Sequence, residues 1–147
     1  MEELYVFGTG NAQATRCYNT CFAIRNEDRF FMVDAGGGNG ILQILDKMNV
    51  QYSQIHDLFV THEHTDHLLG VVWMVRFIAT RMLNGTYDGD LNIYCHDQLT
   101  STIDTFCRLT LQGKFYRLIG DRIHLIPVHD GETLSIMDYE VTFFDIH

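Results

Sequence analysis

Residues 62–67 read His-Glu-His-Thr-Asp-His, three histidines and an aspartate with one glutamate among them. They follow "DLFVT", an apolar run of strand length. They lead into "HLLGVVWMVRFIATRMLNG", apolar nearly all the way round, with Arg76 and Arg81 as its only permanent charges. The chain therefore passes from a buried strand to a buried helix through one polar turn. On a strand end His62 and His64 lie two apart, so both rings project to the same side. Thr65 or Asp66 is placed to cap the helix, whose positive end favours a carboxylate. The turn carries Asp66 and His67 round the same cavity from another direction. Nitrogen and oxygen donors converging in this way suit zinc, with manganese or iron as alternatives. The plain alternative is a chance cluster of solvent-facing caps, and it must account for four spaced residues and for the apolar strand that delivers them.

The rest of the chain reads as strands and helices in alternation. "LYVFG", "TCFAIR" and "RFFMVDA" are strands separated by Gly8, Gly10 and the "NED" turn. After "GGGNG", Ile41, Leu42, Ile44, Leu45 and Met48 recur at helical spacing, which predicts an amphipathic helix over 41–49. The apolar helix after His67 should close at Asn84-Gly85. "LNIYC" reads as a strand and "DQLTSTIDTFCRLTLQG" as a helix ending at Gly113. "IHLIPV", "ETLSI" and "EVTFFDI" are strands, with Asp130-Gly131 as a turn. The class is α/β (α+β), one domain over 1–147, with helices covering at least one face of a sheet. "GTGNA" and "GGGNG" lack the Walker lysine and the GxGxxG spacing, so they read as turns that bring backbone close to the site.

Composition enters as a set of exclusions. No stretch approaches the roughly 18 uninterrupted apolar residues of a membrane span. "MEELYVFGTG" has neither the basic start nor the apolar block of a signal peptide, so the expected compartment is the cytoplasm. A net charge of −9 removes any general electrostatic footprint for nucleic acid. Arg108, Lys114, Arg117 and Arg122 read as a solvated face. The four cysteines, Cys17, Cys21, Cys95 and Cys107, read as buried, inert thiols, and the spacing of "RCYNTC" is not that of a zinc ribbon. His96 reads as a surface or capping residue and His56 as an exposed loop residue. His124 and His129 are not expected to touch a metal. Trp73, Met74 and Phe77 read as core.

The stretch "HEHTDH" strongly resembles the His-x-His-x-Asp-His signature of the metallo-β-lactamase superfamily. "FFMVDAGGG" resembles the strand ending in Asp-x-Gly that precedes that signature. "FFDIH" resembles the strand that delivers the next metal-binding histidine. "GTGNAQATRCYNTCFAI" resembles the opening of the ribonuclease Z-like branch. The resemblance implies that His62, His64 and His147 bind one metal, and that Asp66 and His67 bind a second. It implies that Asp66 orients or deprotonates the attacking water. Asp34 would hold a ligand or loop by hydrogen bonds, a role compatible with capping the glycine turn.

The fold implied is a four-layer αββα sandwich, of which these residues are expected to cover the first half and the start of the second. The bridging aspartate and last histidine of the family's second site have no counterpart here. The expectation is therefore an incomplete catalytic unit, completed by a longer chain or a second polypeptide, or associating with itself. The activity implied is metal-dependent hydrolysis of a phosphodiester, with tRNA or a small nucleotide as substrate and one or two zinc ions (or manganese or iron) as cofactor. Two alternatives stand beside it: a thioesterase or lactonase of the same superfamily, and a non-catalytic metal-binding half-domain that needs a partner chain.

Overall fold

The computed structural model describes residues 1–146, so His147 lies outside the described residues. Six strands form one sheet in the order of the chain: β1 (Glu2–Gly8), β2 (Cys21–Asn26), β3 (Arg29–Val33), β4 (Ile55–Phe59), β5 (Leu91–His96) and β6 (Ile123–Val128). The first three make an antiparallel meander, and β3 to β6 run parallel. Parallel neighbours need crossovers. Here α1 (Gly40–Lys47), α2 (Thr65–Leu83) and α3 (Asp97–Thr110) supply them, with a short α4 (Gly113–Tyr116) before β6.

Alternation along the strands sends side chains to two different cores. Phe30, Met32, Leu58, Ile93 and Cys95 pack with Ile41, Leu45, Met74, Ile78, Leu99 and Ile103 of the helices. Phe31, Val33 and Tyr94 point the other way. There they meet a separate hairpin, β7 (Thr133–Ile136) and β8 (Tyr139–Thr142), through Ile136, Met137 and Phe143. Its two-residue turn, Met137-Asp138, has both φ angles positive, as a type I′ hairpin turn requires. The order of layers is helices, sheet, hairpin, which is the first half of the expected sandwich and the beginning of its second sheet.

Several sequence expectations need correction. Neither Thr65 nor Asp66 caps α2. His64 occupies the N-cap without a side-chain cap bond, and both residues lie in the first turn. "EVTFFDI" is strand only as far as Thr142. Phe143 still exchanges backbone bonds with Gly131 and Glu132, but Phe144 and Ile146 are exposed beyond it. The helix expected to end at Gly113 stops at Thr110, and Gly113 opens α4 instead. His56 is a half-buried residue of β4, its ring against Tyr87. Trp73 lies on the outer side of α2, exposed, while Met74 beside it is fully buried. Cys17 is exposed, and the other three cysteines are buried free thiols. Among the described residues no helix is long and apolar enough to cross a membrane.

Candidate metal and catalytic site

The carboxyl ends of the parallel strands carry the polar residues singled out by sequence. β3 runs out at Val33 and delivers Asp34, buried at 4% exposure, in a left-handed conformation with φ of +58°. Aspartate tolerates that conformation better than most side chains. Its backbone N–H still donates to Phe59 at 2.8 Å, so the bend happens without leaving the ladder. β4 ends at Phe59, and Val60 to His64 form a loop before α2. His62 and His64 thus come from a loop and not from a strand end. Their rings nevertheless meet edge to face, with centroids 4.7 Å apart, and the His62 and His67 rings are 4.0 Å apart.

Asp34 organises this loop. One carboxylate oxygen accepts the Thr61 backbone N–H at 2.8 Å. The other accepts the Thr61 hydroxyl at 2.7 Å and lies 2.8 Å from Nδ1 of His67. A carboxylate has only lone pairs to offer, so the His67 Nδ1 must carry the proton. The Thr61 hydroxyl spends its single proton on Asp34, so at 2.9 Å from His62 Nδ1 its oxygen accepts. His62 is therefore protonated on Nδ1 as well. One buried carboxylate fixes both rings, directly or through Thr61, with Nε2 left as the donor atom. Burial first, and then the neighbouring His67, hold the His62 imidazole below its ordinary pKa, which keeps it neutral and able to donate a lone pair.

The Asp66 carboxylate stands 3.1 Å from Nε2 of His67. Two acceptors facing each other at that distance repel unless a proton or a cation lies between them. Three imidazoles and a carboxylate are donors of the type a divalent transition metal takes. Among the described residues, no three His, Cys, Asp or Glu side chains already stand at ligand geometry. The set fits such an ion in its chemistry and in the tautomer of two rings, while the described donors do not by themselves close a shell.

The other described histidines have partners of their own. His124, at the start of β6, pairs with Asp90 at 2.8 Å, at the amino ends of the strands. His96 is the exposed N-cap of α3, 3.9 Å from Glu63, and His129 bonds Glu132 at 3.2 Å. Both line a cleft of about 390 Å³ whose walls include Phe59, Thr61, Gln98 and Phe143. Thr61 joins that cleft to the histidine loop. Sequence reasoning missed Thr61, Tyr18 and Asn19. Thr61 could have been found as the hydroxyl beside the first histidine. Tyr18 and Asn19 lie in a segment with no periodicity. Tyr18 buries its hydroxyl against the glycine loop, which pushes its pKa up to about 12 and keeps it a proton donor.

A helix-backed mixed sheet bearing this histidine-aspartate loop at the carboxyl ends of its parallel strands is a metallo-β-lactamase fold. Solved structures of the same fold agree. YhfI from Bacillus subtilis superposes with a TM-score of 0.71 at 21% identity, over 97% of this chain and 53% of that one. The short form of human tRNase Z gives 0.62 at 23% identity, over 75% and 39%. The chain belongs to the family described as anti-Pycsar protein Apyc1, whose profile matches residues 2–147. It is also similar to ribonuclease Z of Phocaeicola vulgatus, 28% identical over 122 residues, and of Bacteroides fragilis, 31% identical over 110. These matches cover 80% and 71% of this chain. It spans 36% and 34% of those two relatives, about a third of their length.

Proposed function

We propose that this chain carries the ion-binding loop and the proton acceptor of a metal-dependent phosphodiester hydrolase. The observation that carries the reading is Asp34: one buried carboxylate leaves Nε2 of two imidazoles as the donor atom, and on His67 that nitrogen stands 3.1 Å from the Asp66 carboxylate. In this reading His62 and His64, with His147, hold one zinc ion, and Asp66 with His67 holds a second, with manganese or iron as substitutes. A bound divalent ion lowers the pKa of water from about 15.7 toward 7 and offsets charge on the phosphoryl oxygens. The chain's own residues do the rest. Asp34 and Thr61 fix the rings, Asp66 accepts the proton of the attacking water, and the cleft beside Thr61 receives the group flanking the scissile bond.

The ribonuclease Z relatives favour a phosphodiester, in tRNA or a small nucleotide, over the thioester or lactone that other members of the superfamily could take. The net charge of −9 weighs against a large polyanion. The donors that complete the second ion come, in this reading, from outside residues 1–146, on a longer chain or a second subunit.

Turnover of bis-p-nitrophenyl phosphate, a tRNA precursor, a thioester and a lactone, each with and without zinc or manganese, is the deciding assay. Diester hydrolysis that needs the metal is expected. Thioester or lactone turnover without it would sink the reading. In the complete protein, replacing Asp66 with alanine should cut diester turnover by about 10²–10⁴-fold with the fold intact. A rate close to the parent's would show that another group takes the proton.

A further inference from the structure

Residues 10–20 form a loop closed on itself. Gly10 donates to the Tyr18 carbonyl at 2.8 Å, Thr20 donates to the Gly10 carbonyl at 2.9 Å, and the Asn19 amide holds the Asn11 carbonyl at 3.0 Å. The loop lies across Ala35 and the glycine run 36–38 and grips them at Ala35, Gly37 and Gly38. The Tyr18 hydroxyl reaches the carbonyls of Ala35 at 2.8 Å and Gly38 at 2.9 Å, and accepts the Gly38 N–H at 3.3 Å. The Asn19 side-chain oxygen accepts the Gly37 N–H at 3.0 Å. Glycine at 36 is required, because a Cβ there would overlap the Tyr18 ring and φ is +76°.

The opposite side of the same glycine run touches the proposed site. The Gly36 carbonyl accepts the Gly70 N–H of α2 at 2.8 Å. A Cβ on Gly37 would meet the Asp66 Cα and the Thr65 carbonyl oxygen at 3.4 Å each, so the run lies against the backbone that carries Asp66. Asp34, which holds His67 and Thr61, is the residue before Ala35. The glycine run is thus clamped between Tyr18 and Asn19 on one side and the first turns of α2 on the other.

We propose that Tyr18 and Asn19 are positioning residues: through the Gly36–Gly38 backbone they set where Asp34 and Asp66 present their carboxylates to the histidines. This rests on the site reading above. The side-chain hydrogen bonds of both residues go to backbone, at Asn11 and at residues 35–38. The consequence is that losing one hydroxyl, some way from the histidines, loosens the histidine loop before it loosens the sheet.

Amide hydrogen exchange on the metal-free protein tests this, with zinc affinity measured by chelator competition as a second readout. Tyr18→Phe keeps the ring and removes its hydroxyl bonds. It should speed exchange of the Thr61 and Gly70 amides by about tenfold, the loss of roughly one hydrogen bond, while Ile93 and Tyr94 in β5 keep their protection. Asn19→Ala should do the same at Gly37. Zinc affinity should fall in both, whereas Ile103→Val, a comparably mild change in the helix core, should leave it at the parent value.

Unchanged protection at Thr61 and Gly70 would overturn the proposal. So would a uniform loss that included β5, since that is global destabilisation. If the parent and a His62→Ala, His64→Ala double variant bind zinc equally poorly, the site reading fails, and the exchange data still decide the positioning role.

Discussion

The two faces of the sheet are covered to different degrees, and β3 shows both within five residues. On the helix side Met32 is fully buried, as are Leu58 and Ile93 on the neighbouring strands. On the hairpin side Phe31 and Val33 each keep 9% of their surface. Beyond the reach of β7 and β8, Leu4, Val6 and Ile24 on the same face are exposed. The helix side is covered by crossovers that parallel strands require in any case, so its cover is as wide as the parallel sheet. The hairpin side is covered by two four-residue strands whose cluster reaches the edge strand β6 but leaves that strip of β1 and β2 open. A polar network sits there as well: Tyr94 donates to the buried Asp57 at 2.9 Å, with Arg29 at 3.8 Å. Close packing on one face and partial packing on the other give the same residue type different energetic weight.

The same deletion made on each face measures that difference. Ile93→Ala, on the helix side, should lower unfolding free energy by about 4 kcal/mol in a denaturant titration. Ile136→Ala, in the hairpin, should cost about 2 kcal/mol, because its surroundings can collapse into the space. Equal costs would break the comparison. Tyr94→Phe should cost about 1–2 kcal/mol by leaving Asp57 short of a donor, and a neutral result would mean that water reaches that carboxylate. Leu4→Thr, on the uncovered strip, should change stability by no more than about 0.5 kcal/mol. A larger loss would show that the strip is packed in solution.

The succession of strands along the chain and the three longer helices were legible in the sequence as apolar runs between turn residues. The side to which each strand points was not. "RFFMV" is apolar at every position after the first, so alternation is hidden when both faces are covered. His62, His64, Asp66 and His67 were visible because four such groups seldom gather between two apolar elements. The loop that holds them was read as a strand end, since "DLFVT" gives no sign that pairing stops at Phe59. Tyr18 was hidden for a different reason: its role comes from the tertiary approach of two loops, and no local pattern encodes that. Trp73 was misplaced because a helix that is apolar all round does not show which side faces out.

Gly70 sits where α2 passes over the turn after β3, and its missing side chain has a consequence for how the protein tolerates change. Any Cβ there would fall into the Ala35 carbonyl oxygen, and a backbone atom tied into the same turn has nowhere to retreat. Gly38, in that same turn, has open space and no need of a positive φ. A library saturating both codons and sorted for folded protein should return nearly the full alphabet at 38 and a single letter at 70.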